Sequence, residues 1–460
     1  MSDELLEWLA NEGASVEGVR IGRSALGGCG AFSMQRRRRG EQLFSIPTSC
    51  ILTVGVAGAS AIGHATRAAA ATHLDDDILN DPRWLDGRVI LWLFVAAGRL
   101  DAANPFHPYL RSLPADSPEP CCWPAQLREE LCNTSAGAAV NEARAFVSDI
   151  FRKLVPHLAD VLPRGCLTSV DDLLWARGVC VSRAFPGILG AGAHGEAHAS
   201  DTDEHGHVVL TQTADGMQST QTIERDAPLP GCLLPLFDIL NHRSGEPLTL
   251  TAVPPGGSAT CGVRFTADTA LTAGAELYNN YSNRSNEELL FCYGFCVRDN
   301  PHDGASILIG DEHHLLRRAD EGGLVELLRS LVHADADRDD GEGESEGCEG
   351  GEDSEDLEVS ADMLEAVSDA LHAKLAALAS SEAADQRLLR QASKKKGPPR
   401  KRKRGAPCTG NEMDEEGERE KEEEEGHEAS SRRLYIAMYR DGLRSVLTDA
   451  VVSLEEMIGE

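Results

Sequence analysis

Charge is spread along this 460-residue chain so unevenly that it limits where a core can form. Residues 335–358 hold 13 acids and one arginine, and residues 412–428 hold 11 acids and two bases. Between them, KKKGPPRKRKR (Lys394 to Arg404) packs eight bases into eleven positions. These stretches are nearly free of aromatics and cannot bury enough apolar surface to offset the entropy of ordering. Disorder is therefore expected over 334–358 and 394–430, with globular structure elsewhere. The three runs contribute −12, −9 and +8 to a net charge of −31, so the rest of the chain carries −18. A mildly acidic body has no field suited to nucleic acid. The basic run suits recognition by a nuclear-import receptor, which places the chain in the nucleus, the cytoplasm or both.

With 41% hydrophobic residues the remainder can form a core, and its length predicts two or three domains. The longest apolar run, Val89 to Ala97, is nine residues, well short of the ~20 that span a bilayer. The start, MSDELLEWLANEG, lacks the basic and apolar regions of a secretory signal. Thirteen cysteines are scattered without a CxxC pair, which predicts reduced thiols, no disulfide framework and no metal site.

Periodicity then sorts the chain. Val19–Ile21, Ala31–Met34, Gln42–Pro47 and Cys50–Val54 read as short extended runs between glycine- or arginine-rich turns. Leu248–Val253 and Cys261–Thr266 read as a hairpin closed by Pro254-Pro255-Gly256-Gly257, and Ala275–Tyr281 as a further strand. Helical spacing covers Asp86–Leu100, Gln126–Val155, Ala361–Ala392 and the tail from Arg432. Residues 190–221, rich in Gly, His and Thr, read as a loop insertion. Short strands flanking a helical middle predict an α+β fold.

Three constellations could carry chemistry. Gly27-Gly28-Cys29-Gly30 can bring backbone close to a ligand, but AFSMQRRRRGEQLFSIP continues as strand, turn, strand, so no dinucleotide-binding helix follows. Asp238-Ile239-Leu240-Asn241-His242 places three polar groups at the end of the apolar LLPLF, with an asparagine able to match an adenine edge. Glu276 to Tyr281 is an aromatic strand that runs through Ser282-Asn283-Arg284-Ser285-Asn286 to Tyr293-Gly294-Phe295. Taken singly, each also reads as plain structure: a tight turn, an Asx turn, and core tyrosines with satisfied hydroxyls.

Their order and spacing resemble the SET-domain methyltransferases of the Rubisco large-subunit lysine methyltransferase subgroup. That subgroup shows GxG, Arg-Ala-Phe, Asp-x-x-Asn-His and Tyr…Arg-Ser-Asn…Tyr-Gly-Phe. Here these stand as Gly28-Cys29-Gly30, Arg183-Ala184-Phe185, Asp238 to His242, and Tyr281 to Phe295. His107–Pro114 and Trp123–Ser135 are similar to the family's helical insert, and Tyr435–Leu447 to the end of its helical substrate-binding domain.

The resemblance implies a SET-domain β fold of small sheets over 1–299, with a helical insert at about 60–175 and the 190–221 insertion. An all-α substrate-binding domain would follow over 300–460. It implies S-adenosylmethionine held by Gly28, Cys29, Gly30, Arg183, Phe185, Asp238, Asn241 and His242. Tyr281 would align the reacting atoms, with Ser182, Phe185 and Tyr293 lining the target channel. The implied activity is methylation of a lysine side chain in a protein substrate. A histidine target, and an idle SET module acting as a protein-binding scaffold, are the alternatives.

Overall fold

The computed structural model describes residues 2–185, 208–213, 216–219, 231–253, 262–309, 312–318, 322–339, 359–394 and 412–459. The chain divides into two compact units, one formed by Met1–Cys122 with Glu142–Asn283 and the other by Trp123–Asn141 with Arg284–Glu460. The second unit thus begins inside the expected 1–299 domain and recruits part of its helical insert.

In the first unit, β1 (Val19–Arg23) and β2 (Cys29–Ser33) form a hairpin that pairs Gly22 with Gly30. β3 (Gln42–Pro47) follows, with the successive Leu43 and Phe44 both buried along with Ile46, so the strand is covered on both faces. β4 (Ala184–Phe185), β5 (Val208–Thr213), β6 (Gly216–Ser219), β7 (Cys232–Leu233) and β8 (Asn241–His242) come after the helical middle. β9 (Leu248–Val253), β10 (Gly262–Thr266) and β11 (Ala275–Asn279) complete the set. They assemble as a four-stranded sheet ordered β1-β2-β11-β8, a five-stranded sheet ordered β3-β10-β9-β5-β6, and the short pair β4-β7. Phe44, Phe237 and Phe265 form the aromatic heart of this unit, with ring centroids 4.5 to 6.2 Å apart. The nine-residue apolar run is the helix Arg88–Gly98, buried on all faces among the helices Val54–Ala59, Ala61–His73 and Val170–Arg183.

Two expectations fail here. Cys50–Val54 is not a strand: Thr48–Cys50 is a turn of 3₁₀ helix, Leu52 makes one bridge to Leu233, and a helix starts at Val54 under a Thr53 cap. Cys50, Ile51 and Leu52 are nonetheless fully buried, so the apolar run marks core rather than strand. Residues 190–221 are not wholly a loop, since Val208–Thr213 pairs with β9 and turns back as β6. Valine and threonine supply strand propensity inside a stretch whose glycines hide it. Residues 190–207 of that insertion, and the hairpin turn at 254–257, lie outside the described residues.

The second unit opens with β12 (Gly304–Ile309) paired to β13 (Glu312–Arg317), so it is not all-helical as expected. Its helices are Asn286–Tyr293, Gly323–Asp339, Ala361–Leu378, Glu382–Lys394 and Glu412–Gly459. The charged segments are also corrected in part: residues 334–339 end one helix and 412–430 begin another. Glutamate, lysine and arginine are good helix formers even where they cannot make a core, and these runs extend helices anchored by apolar neighbours. Residues 340–358 and 395–411, which include most of the basic run, lie outside the described residues. Asp385 is fully buried and ion-paired at 2.6 Å to Arg440 and 2.7 Å to Arg444, which ties the last two helices together.

Candidate active site

The glycine turn comes first, because its backbone decides what can approach it. Gly27 and Gly28 have φ of +100° and +64°, a conformation that disfavours side chains, and nothing lies within 4 Å of a Cβ at either position. The turn is closed by Ser24, whose hydroxyl accepts the Leu26 N–H at 3.0 Å while its own N–H donates to the Gly28 carbonyl at 3.1 Å. Gly30 answers to a different constraint: a Cβ there would collide with Glu276 Oε1. Cys29 is an exposed free thiol whose carbonyl faces β8.

The sheet order brings the second constellation beside the first. β2 and β8 flank β11, with Ala31 opposite Leu277 and Asn241 opposite Tyr278. Asn241 Nδ2 then donates to the Cys29 carbonyl at 3.0 Å and to Glu276 Oε1 at 2.9 Å. The other Glu276 oxygen accepts the Tyr278 hydroxyl at 3.0 Å, and the Arg243 guanidinium lies 3.4 Å above the Tyr278 ring. Both carboxylate oxygens of Glu276 are therefore committed to holding side chains of the site.

His242 has its tautomer set by its neighbours. The Tyr281 N–H donates to Nδ1 at 3.1 Å, so the ring hydrogen sits on Nε2, which is 3.2 Å from Ser244 Oγ. Burial lowers the imidazole to about 4, so it is neutral at physiological pH. Tyr281 stacks obliquely on that ring with centroids 5.1 Å apart and donates its hydroxyl to the Leu240 carbonyl at 2.9 Å. The backbone turns sharply on either side, with φ of +73° at Leu236 and +72° at Ser282. Neither residue has the freedom of glycine, and such strained positions persist only where surrounding structure holds them.

Arg183 and Asp238 meet below this arrangement. One guanidinium nitrogen of Arg183 donates to the Asp238 carbonyl at 2.9 Å and to Oδ2 at 3.1 Å, and the Tyr109 hydroxyl donates to the same Oδ2 at 3.0 Å. Burial pushes the Asp238 carboxyl up, opposed first by the Arg183 charge and then by the Tyr109 hydrogen bond. Burial also holds the Tyr109 hydroxyl well above its usual range, so it stays a donor. Asp238 Oδ1 is buried and has no hydrogen-bond partner among the described residues.

Most of the expected site residues thus meet around the neighbouring strands β2, β11 and β8 of the first unit: Gly28, Cys29, Gly30, Asn241, His242 and Tyr281, with Arg183 and Asp238 bonded to each other. Phe185 sits in β4 with its ring edge-on to Phe237 at 6.2 Å, part of the aromatic core. Ser182 donates its hydroxyl to the Gly178 carbonyl of its own helix at 2.8 Å. Tyr293 belongs to the second unit, at the end of the helix Asn286–Tyr293, where burial raises its hydroxyl. Ser285 and Glu288 form a capping box on that helix, and Asn286 bonds Asp303 and Val297, so this motif builds a helix start. Sequence reasoning passed over Glu276 and Tyr109 as functional, although both lie within segments it singled out. Leu236 carried no signal, because leucine does not announce a positive φ.

No family profile matches the sequence. A ribosomal lysine N-methyltransferase of Schizosaccharomyces pombe is 31% identical over 108 residues, covering 24% of this chain and 19% of that protein. An actin-histidine N-methyltransferase of Danio rerio is 25% identical over 315 residues, 67% of this chain and 44% of that protein. The chain thus spans less than half the length of these curated relatives. The crystal structure of the SET domain of LSMT bound to lysine and AdoHcy superposes with a TM-score of 0.62 at 17% identity, covering 100% of this chain and 92% of that one. Rubisco LSMT bound to AdoMet gives 0.59 at 15% identity, over 99% and 92%. The chain has the SET-domain fold.

Proposed function

We propose that this SET-fold chain is an S-adenosylmethionine-dependent protein N-methyltransferase acting on a lysine side chain. The observation that carries the reading is the meeting of the glycine turn, Asn241, His242 and Tyr281 along β2, β11 and β8. The donor set suits the cofactor. A turn open on its outer side accommodates a bulky ligand, and the Leu240 carbonyl and Tyr281 hydroxyl are oxygens of the kind that pair with electron-poor C–H groups. When bound, S-adenosylmethionine supplies an electrophilic methyl group. The chain's own residues supply position: Glu276 orients the Asn241 amide, and His242 anchors the backbone at Tyr281. Tyr281 holds its hydroxyl at a fixed point, where an oriented dipole stabilises developing charge without reorganisation.

A lysine ammonium has no lone pair, so it must lose a proton before it attacks, and desolvation beside a cation favours that loss. Water is the final proton acceptor in this scheme, and the rest of the rate enhancement comes from alignment. The lysine-directed relative and the lysine-bound neighbour support this target. A second reading, a histidine target, is favoured by the longer similarity to actin-histidine enzymes, and a neutral imidazole needs no deprotonation step. Nuclear import through Lys394–Arg404 is part of the same proposal and rests on sequence alone.

Titration calorimetry of the full chain with S-adenosylmethionine tests the class: heat of binding is expected, and none would leave a scaffold. Labelled methyl transfer into a lysate, followed by amino-acid analysis, separates methyl-lysine from methylhistidine. Cofactor binding without any transfer would identify an idle module.

A further inference from the structure

The second unit carries a cavity to which the reading above gives no role. It measures about 430 Å³, within the usual size of ligand sites, and three cations line it: Arg298, Arg390 and Lys394. Arg390 and Lys394 stand four positions apart on the helix Glu382–Lys394 and so share a face, while Arg298 comes from the segment after the helix Asn286–Tyr293. Leu389, 6% exposed, is the apolar residue of the lining. Asp441 also lines the cavity, and its carboxylate accepts the Gln386 amide at 2.7 Å.

What sets this lining apart is an excess of cations in a chain with 75 acids against 44 bases. Several arginines of this unit are ion-paired elsewhere: Arg284 to Glu288 at 3.1 Å, Arg432 to Glu428 at 2.6 Å, Arg433 to Glu130 at 2.7 Å, and Arg440 and Arg444 to Asp385. Arg390 and Lys394 make no hydrogen bond and no ion pair among the described residues, and Arg298 faces the carboxylate of Asp441 within the same lining. Against them stands the single charge of Asp441, so the lining is net cationic.

We propose that this cavity receives an acidic segment of the protein substrate, with separate Asp or Glu carboxylates paired to Arg298, Arg390 and Lys394. The occupant's identity as a substrate rests on the methyltransferase reading; its acidic chemistry rests on the cavity. A peptide fits better than a phosphate. A phosphate dianion would concentrate two charges near Asp441 and near the negative C-terminal end of the helix Glu382–Lys394. Carboxylates spaced along a peptide can meet cations from two elements while avoiding both, and the volume admits several side chains.

The test uses the full chain and a fluorescein-labelled peptide of alternating glutamate and glycine, followed by anisotropy at low and at physiological salt. Saturable, salt-weakened binding is expected, with a glutamine-for-glutamate peptide not binding. The double variant Arg298→Gln/Arg390→Gln, at two exposed positions, is expected to weaken the probe about tenfold while leaving the affinity for S-adenosylmethionine unchanged. Neutralising Arg400 to Arg404 as glutamines is expected to leave the probe's affinity unaltered. The proposal is overturned if the double variant binds as well as the parent, or if only the 400–404 variant loses binding. Inorganic phosphate that displaces the probe better than chloride at equal ionic strength would reassign the cavity to phosphate. A parent chain that fails to bind S-adenosylmethionine sinks the methyltransferase reading, whereas a parent chain that transfers methyl groups but does not bind the probe sinks only this one.

Discussion

Each compact unit buries one aspartate against arginine, and the two pairs are completed differently. In the second unit both oxygens of Asp385 are taken, one by Arg440 and one by Arg444. Those arginines reach on to the carbonyls of Glu130 and Leu378 and the hydroxyl of Ser381. The unused capacity there lies in guanidinium N–H groups. In the first unit Asp238 gives one oxygen to Arg183 and Tyr109 and leaves the other buried without a partner among the described residues. A carboxylate with both oxygens engaged has a bracing role, since removing it strands two cations. A carboxylate with a buried acceptor to spare, beside a strained turn, costs stability that packing alone does not repay, which is in keeping with the cofactor site proposed there.

The largest effect should come from the saturated pair. Asp385→Ala leaves two arginines without their counter-charge and is expected to cost about 3–5 kcal/mol. Urea denaturation of the full chain reads this directly, and a loss below about 1 kcal/mol would mean that the network is not a brace. Next is Tyr281→Phe, which keeps the ring against His242 and removes only the hydroxyl. Methyl transfer is expected to fall by about 10²–10³ with little change in cofactor affinity. Unaltered turnover would remove the hydroxyl from the scheme.

Asp238→Asn should cost less stability than Asp385→Ala, about 1–3 kcal/mol, while weakening cofactor binding more than Asp385→Ala does. Equal profiles for the two variants would erase the distinction between brace and site. Near neutrality the smallest effect is expected from pH. Because burial holds folded His242 at about 4, the unfolded imidazole takes up a proton between pH 6.5 and that value while the folded one does not. Stability from this group is therefore full above pH 6.5 and is lost as pH falls through the window. His242→Gln should flatten that part of the curve, and an unchanged slope would show that the ring is not held neutral.

The two regions also differ in how much could be read in advance. β9 (LTLTAV) was legible because alternation of apolar residues is local and survives in one dimension. The partners of Asn241 were not legible: Cys29 and Glu276 are far from it in sequence, and they reach it only because β2 and β8 both flank β11. Glycine at position 30 can be recognised as a close approach from its residue type, but what approaches, the Glu276 carboxylate, depends on strand order. The helix through 412–430 was missed because low apolar content was weighed against order, while its helix propensity and its continuity with a packed tail were not.

From residue order alone come the α+β class, the helical packing run at Val89–Ala97, and the family to which four spaced motifs are similar, since these depend on patterns within a few residues. The partition of 123–141 into the second unit, the neutral tautomer of His242 and the unmatched oxygen of Asp238 arise only on folding. Each depends on which distant groups share a low-dielectric space, and no local pattern records that.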